Sequence, residues 1–139
     1  MNRKIAIVLY GKANQGKTST SLELFRLISN QSRSGDIAES ILFRGITIGF
    51  VTSSDPYQEN LQEFQLQLQN RITEDCDIIV CTSRTRGESV RIIEDTLDQN
   101  YEIVWLSTIA SPTLPFDFFN NQQANFLLNL INRLIDEIF

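Results

Sequence analysis

One stretch of the chain has residue types and spacing suited to binding phosphate: Gly11-Lys12-Ala13-Asn14-Gln15-Gly16-Lys17-Thr18. Its two glycines let the backbone turn sharply after a strand and approach an anion closely. Amide groups from Asn14 to Ser19 can converge on a phosphate at the positive end of a following helix. Lys17 can reach the outer phosphate oxygens, and the Thr18 hydroxyl can ligate Mg²⁺. The spacing therefore predicts a nucleoside triphosphate site formed by Gly11–Ser19.

A triphosphate site of this kind usually works with an acidic residue that holds Mg²⁺ through water. Asp55 follows the predicted strand Ile46–Thr52 and is our candidate for this acid. The alternative interpretation of Asp55 is a turn residue or helix N-cap ahead of Pro56. The predicted strand Asp77–Thr82 ends without an acid, since Asp77 lies at its other end.

Two arginines, Arg84 and Arg86, follow the predicted strand Asp77–Thr82. Arginine binds phosphate through a planar fork of donors, so this pair is a candidate clamp for a γ-phosphate or a phosphorylated substrate. The alternative interpretation is a solvated start of a helix, with Glu88 in its first turn. We list Lys17, Asp55, Arg84 and Arg86 as the candidate catalytic residues.

The elements that must position these residues alternate between strand and helix. Continuous apolar runs predict buried strands, and apolar residues at steps of three and four predict amphipathic helices. Two runs separated only by Arg44-Gly45 must form an antiparallel hairpin, because a parallel crossover needs a dozen residues or more. The predicted strands are Ile5–Tyr10, Ile37–Phe43, Ile46–Thr52, Asp77–Thr82 and Glu102–Ser107, and helices follow the first, third, fourth and fifth of them.

This alternation predicts an α/β fold: one domain over residues 1–139, with three α/β/α layers. Its sheet is mainly parallel and five-stranded, with one antiparallel edge strand from the hairpin 37–43/46–52. The irregular segment Ser107–Asp117 would lie at the carboxyl edge of the sheet, where such folds bind ligands. The sequence leaves the base-recognition residues open, and Ser107–Pro115 is the first candidate segment for them.

The composition excludes several classes of function. The chain has no histidine, so His-based catalysis and the commonest metal ligand are absent. A net charge of −5 argues against a broad nucleic-acid-binding surface. Cys76 and Cys81 are expected on opposite faces of one strand, as reduced thiols of a cytoplasmic protein. No apolar run is long enough for a membrane span, and no signal peptide is evident.

Through its Walker A motif at Gly11–Thr18, the sequence resembles the P-loop NTPase superfamily. The resemblance implies a Mg²⁺-bound triphosphate. The hairpin leading to Asp55 also resembles the arrangement in small GTPases. However, Asp55-Pro56-Tyr57-Gln58 lacks the glycine of their switch motif, and their guanine-reading Asn-Lys-x-Asp motif is absent. ATP is therefore a better candidate than GTP.

Three functions fit these residues. The first is hydrolysis of a nucleoside triphosphate, alone or with a protein partner, in which Arg84 or Arg86 contacts the transferred phosphoryl group. The second is a kinase that transfers the γ-phosphate to a small molecule or nucleotide, with Asp55 as the base. The third is a non-catalytic, nucleotide-gated binding module whose loops Asn30–Asp36 and Ser53–Tyr57 respond to the γ-phosphate.

Overall fold

Nine elements alternate along the chain in the computed structural model, which describes residues 3–11, 16–52, 58–84, 87–109, 111, 113–115 and 118–139. For residues 58–60 it describes the backbone alone. In chain order the elements are β1 (Ile5–Tyr10), α1 (Lys17–Ser29), β2 (Ala38–Phe43), β3 (Ile46–Val51), α2 (Gln58–Thr73), β4 (Ile78–Ser83), α3 (Glu88–Leu97), β5 (Glu102–Ser107) and α4 (Asn120–Glu137).

The five strands form one sheet in the order β2-β3-β4-β1-β5. β1 pairs in parallel with β4 and β5, β4 pairs in parallel with β3, and β2 alone runs antiparallel at the edge. The hairpin between β2 and β3 turns on Arg44 and Gly45, whose φ angles of 51° and 85° suit a tight two-residue turn. The predicted α/β fold, with a mainly parallel five-stranded sheet and one antiparallel edge strand, is confirmed.

Apolar side chains fill the space on both faces of the sheet. On one face Ile5, Ile7 and Leu9 of β1 pack with residues of α1 and α4. On the other face Ala6 and Val8 pack with residues of α2 and α3. β1 is buried on both faces, which explains why its sequence is a continuous apolar run. The helices thus hold β1 in the middle of the domain and direct its carboxyl end toward the glycine-rich loop.

The two cysteines are unpaired and buried, as expected, but their predicted placement on opposite faces is wrong. Both pack into the same core cluster. The chain turns at Asp75, whose φ is 62°, and β4 begins only at Ile78, so Cys76 precedes the strand. The alternation of side chains between the two faces of a strand therefore does not apply to Cys76. Burial raises the pKa of Cys81 to about 12, which keeps this thiol protonated at neutral pH.

Candidate functional site

The carboxyl ends of three adjacent strands lie level with one another. Tyr10 at the end of β1 is in register with Ser83 of β4 and Ser107 of β5. Backbone bonds continue past the strands: Gly11 N–H donates to Ser83 O at 3.2 Å, and Thr108 N–H donates to Tyr10 O at 3.1 Å. Because this edge holds the start of the glycine-rich loop, it is the candidate site.

Gly16 sets the geometry at which the loop enters α1. Its φ of 79° and ψ of 13° are left-handed, a conformation that glycine adopts without steric cost. Gly16 O accepts a bond from Thr20 N–H at 2.8 Å, so the helical bonding begins at once. The second fixed glycine of the motif therefore allows the tight turn from loop to helix that the pattern requires.

Lys17 is the first residue of α1 and is only 4% exposed. Its ammonium group donates to Gly11 O at 2.8 Å and to Ser83 O at 2.9 Å. These two bonds hold the charge between the ends of β1 and β4. The ammonium group thus brings a buried positive charge to the ends of these two strands, and a positive charge favours binding of an anion.

The other predicted site residues fall into three groups. Thr18 and Ser19 lie in the first turn of α1 and are partly buried, beside Lys17. Arg84 directly follows β4 and is partly buried, and its backbone N–H donates to Ser89 Oγ at 3.3 Å. The predicted residues Lys12, Ala13, Asn14, Gln15, Asp55 and Arg86 lie outside the described part of the chain.

Ser83 is a site residue that the sequence reasoning missed. It is 1% exposed, and its carbonyl oxygen accepts from both Gly11 N–H and the Lys17 ammonium. Its hydroxyl donates to Arg84 O at 2.8 Å and lies 3.2 Å from Ser89 Oγ. The contacts to Gly11 and Lys17 are made by the Ser83 carbonyl group, so the sequence contains no side-chain pattern that predicts them. They can be predicted only once β4 is known to lie next to β1.

A polar chain links α1 to the segment that follows β5. Gln123 of α4 accepts from Ile109 N–H at 2.6 Å through Oε1, and its Nε2 donates to Thr20 Oγ1 at 3.3 Å. Thr20 Oγ1 donates in turn to Asn120 Oδ1 at 3.3 Å. Gln123 therefore fixes the start of the predicted base-recognition segment relative to the helix that begins at Lys17.

An apolar cavity of about 340 Å³ lies between β5 and α4, next to this polar chain. Leu9 and Leu106 line it from the sheet, Ile109 from the following segment, and Phe126 from α4. Part of the predicted base-recognition segment 107–115 thus borders a cavity at the carboxyl edge of the sheet.

The described part of the chain contains neither a cluster of metal-ligating side chains nor a membrane-spanning helix. In that part of the chain, no group of three or more Cys, Asp or Glu side chains is arranged to hold a metal ion. Across the same residues, no helix combines the length and apolar character needed to cross a bilayer.

Comparison with known proteins gives a fold and no family. No protein-family model matches the chain, and no curated protein sequence matches it. A solved structure described as the crystal structure of APE1195 is similar, with a TM-score of 0.50 and 12% sequence identity. The similarity covers 96% of this chain and 75% of that chain. It concerns the fold alone.

Proposed function

We propose that this protein is a P-loop NTPase that binds Mg²⁺-ATP through Gly11–Ser19 and hydrolyses it. The observation that carries the proposal is the position of Lys17. Its ammonium group is buried between the ends of β1 and β4, at the start of a helix entered through a left-handed glycine. The sheet edge, the helix N-terminus and the charge all favour an anion at the same place.

The residues at the start of α1 suit the phosphates and their metal. Lys17 supplies positive charge, and the backbone of α1 begins with N–H groups that have no partner within the helix. Thr18 presents a hydroxyl one residue further on, partly buried, a ligand type that Mg²⁺ accepts together with phosphate oxygens. When bound, Mg²⁺ would neutralise charge on the phosphate oxygens, held by Thr18 and, through water, by Asp55.

The proposed chemistry is attack of a water molecule on the γ-phosphate. Lys17 stabilises the negative charge that the transferred phosphoryl group and the leaving oxygens carry. Arg84 follows β4, the strand adjacent to β1. In the proposed reaction its guanidinium group, together with that of Arg86, neutralises charge on the outer phosphate. Because this machinery is electrostatic and positional, hydrolysis without a partner is expected to be slow.

A nucleotide screen tests the proposal. The purified protein is titrated with ATP and GTP, each with and without Mg²⁺, and phosphate release is followed in the absence of any acceptor. Mg²⁺-dependent ATP binding with phosphate release is expected. Release that needs a small molecule, with label found on that molecule, would indicate the kinase. Binding without turnover would indicate the nucleotide-gated module. Failure to bind any triphosphate would refute the proposal.

A further inference from the structure

Most of the exposed apolar side chains in the described part of the protein come from one stretch of the chain. Among the described residues, eight large apolar side chains are exposed, and five of them come from the part of the chain between β5 and the second turn of α4. These five are Val104, Ile109, Leu114, Phe118 and Phe126. Phe126 is 58% exposed and lines the cavity between β5 and α4 together with Ile109. An exposed apolar cluster of this kind is typical of an interaction surface.

The same part of the chain is almost free of charge. The protein has 12 Lys and Arg and 17 Asp and Glu residues, yet Asp117 is the single charged residue between positions 103 and 132. The exposed positions of α4 here carry carboxamides instead, at Gln122, Asn125 and Asn129. Loss of charge together with exposed aromatic side chains characterises the centre of protein–protein interfaces. We call Val104, Ile109, Gln122, Phe126 and Asn129 the α4 face.

Within the described residues, β5 is the edge strand of the sheet on the side of the α4 face. Glu102 N–H donates to Lys4 O and Thr108 N–H donates to Tyr10 O, so the even-numbered residues of β5 bond to β1. By alternation, the backbone groups at the odd-numbered positions point away from β1; these residues are Ile103, Trp105 and Ser107. Beyond Glu102 the strand has no charge to discourage pairing with another strand.

The opposite edge of the sheet differs in this respect. Glu39 of β2 forms an ion pair with Arg33 at 2.8 Å, and Arg44 at the hairpin forms one with Asp136. Charges on an edge strand are a common protection against pairing. β5 lacks such protection along most of its length, which is consistent with its edge being covered by a partner.

We propose that the α4 face and the β5 edge form the interface of a twofold-symmetric dimer of this chain. Each copy has a net charge of −5, so two copies repel one another least where their surfaces are uncharged. A carboxamide both donates and accepts, so a surface of Asn and Gln is complementary to itself. A twofold axis beside β5 would pair the two strands antiparallel and bring the two α4 helices together, which covers Val104 and Phe126.

Sedimentation velocity of the purified protein over a wide concentration range tests the dimer. The wild type is expected to associate reversibly. Phe126→Asp should raise the dissociation constant about a hundredfold, because symmetry introduces the change twice at an aromatic interface position. The matched control is Leu42→Asp on β2, since Leu42 is 76% exposed and lies on the opposite edge. The control should leave the dissociation constant unchanged.

Mixing two variants that carry opposite charges at position 126 tests whether the partner is a second copy of this chain. Phe126→Asp and Phe126→Lys should each be monomeric and folded, because the side chain is mostly outside the core, and their mixture should associate again. Three results would overturn the proposal. These are a wild type that stays monomeric at every concentration, a Phe126→Asp variant that associates like the wild type, and a mixture that remains monomeric. None depends on nucleotide binding, so the dimer and the NTPase activity are tested separately.

Discussion

Replacing Lys17 by methionine removes one buried charge and keeps the length of the side chain. A hydrogen bond from a charged donor contributes about 1.5–3 kcal/mol, so the loss of the ammonium group should weaken Mg²⁺-ATP binding roughly 10- to 150-fold. The effect on folding should be smaller. When the Lys17 bonds to Gly11 O and Ser83 O are removed, Ser83 O still accepts a bond from Gly11 N–H.

Calorimetric titration of ATP in the presence of Mg²⁺ measures this loss of affinity directly. A thermal shift gives an independent measurement. ATP at a hundred times its dissociation constant adds about 2.7 kcal/mol to the stability of the native state, which raises the Tm of a domain of this size by roughly 10 °C. Lys17→Met should lose about half of that shift or more at the same ATP concentration, while its Tm without ATP stays within a few degrees of the wild type.

Lys4→Met is the matched control, because Lys4 precedes the same strand at its opposite end. The Lys4 ammonium group lies 2.6 Å from Asp75 Oδ1, far from the glycine-rich loop. This variant should bind ATP like the wild type. If Lys17→Met kept wild-type affinity, or if Lys4→Met weakened binding equally, the role assigned to the buried ammonium group would be refuted.

Two further predictions concern the carboxylates and a buried phenol. Asp55→Ala should weaken the Mg²⁺ dependence of ATP binding. Asp77→Ala should leave that dependence unchanged and should lower the stability by about 1 kcal/mol, because Thr47 N–H loses its acceptor. Equal effects of the two variants in Mg²⁺ titrations would show that Asp55 is not the metal ligand. Burial raises the pKa of Tyr101, so the wild type should lose stability as pH rises above 10. In urea unfolding at pH 7, Tyr101→Phe should be about 1 kcal/mol less stable than the wild type, because the 2.7 Å bond from the phenol to Cys76 O is lost. Above pH 10 its free energy of unfolding should fall less steeply with pH than that of the wild type. An equally steep fall in both proteins would contradict this prediction.

The predicted limits agree with the structure for some strands and differ by one residue for others. The hydrogen bonds at the strand ends explain these differences. β1 and β5 have the predicted limits. β4 begins one residue later than predicted, because the Asp77 carboxylate accepts a bond from Thr47 N–H. It also ends one residue later than predicted, because Ser83 still pairs with Tyr10. Ile37 and Thr52 bond to each other just beyond the hairpin ladder, so they fall outside β2 and β3.

The order of the strands could not be predicted from the sequence. Apolar runs identify the strands, and two-residue turns identify a hairpin, but right-handed crossovers are compatible with several orders of the remaining strands. The structure places β4 between β3 and β1. This order brings Ser83 into contact with Lys17, and it moves the end of β3, which precedes Asp55, one strand away from the glycine-rich loop.

The strand order therefore limits how Asp55 can serve the proposed metal. Two strand spacings separate the ends of β3 and β1, about 10 Å in the plane of the sheet. Two hydrogen bonds join Thr52 to Ile37, the residue before β2, so the chain remains next to β2 as far as Thr52. Position 55 is three residues further, and an extended chain advances about 3.3 Å per residue, so a carboxylate there just reaches the end of β1. The proposed metal role of Asp55 therefore requires this segment to cross the end of β4 in an extended conformation, and the Mg²⁺ titration of Asp55→Ala tests that role.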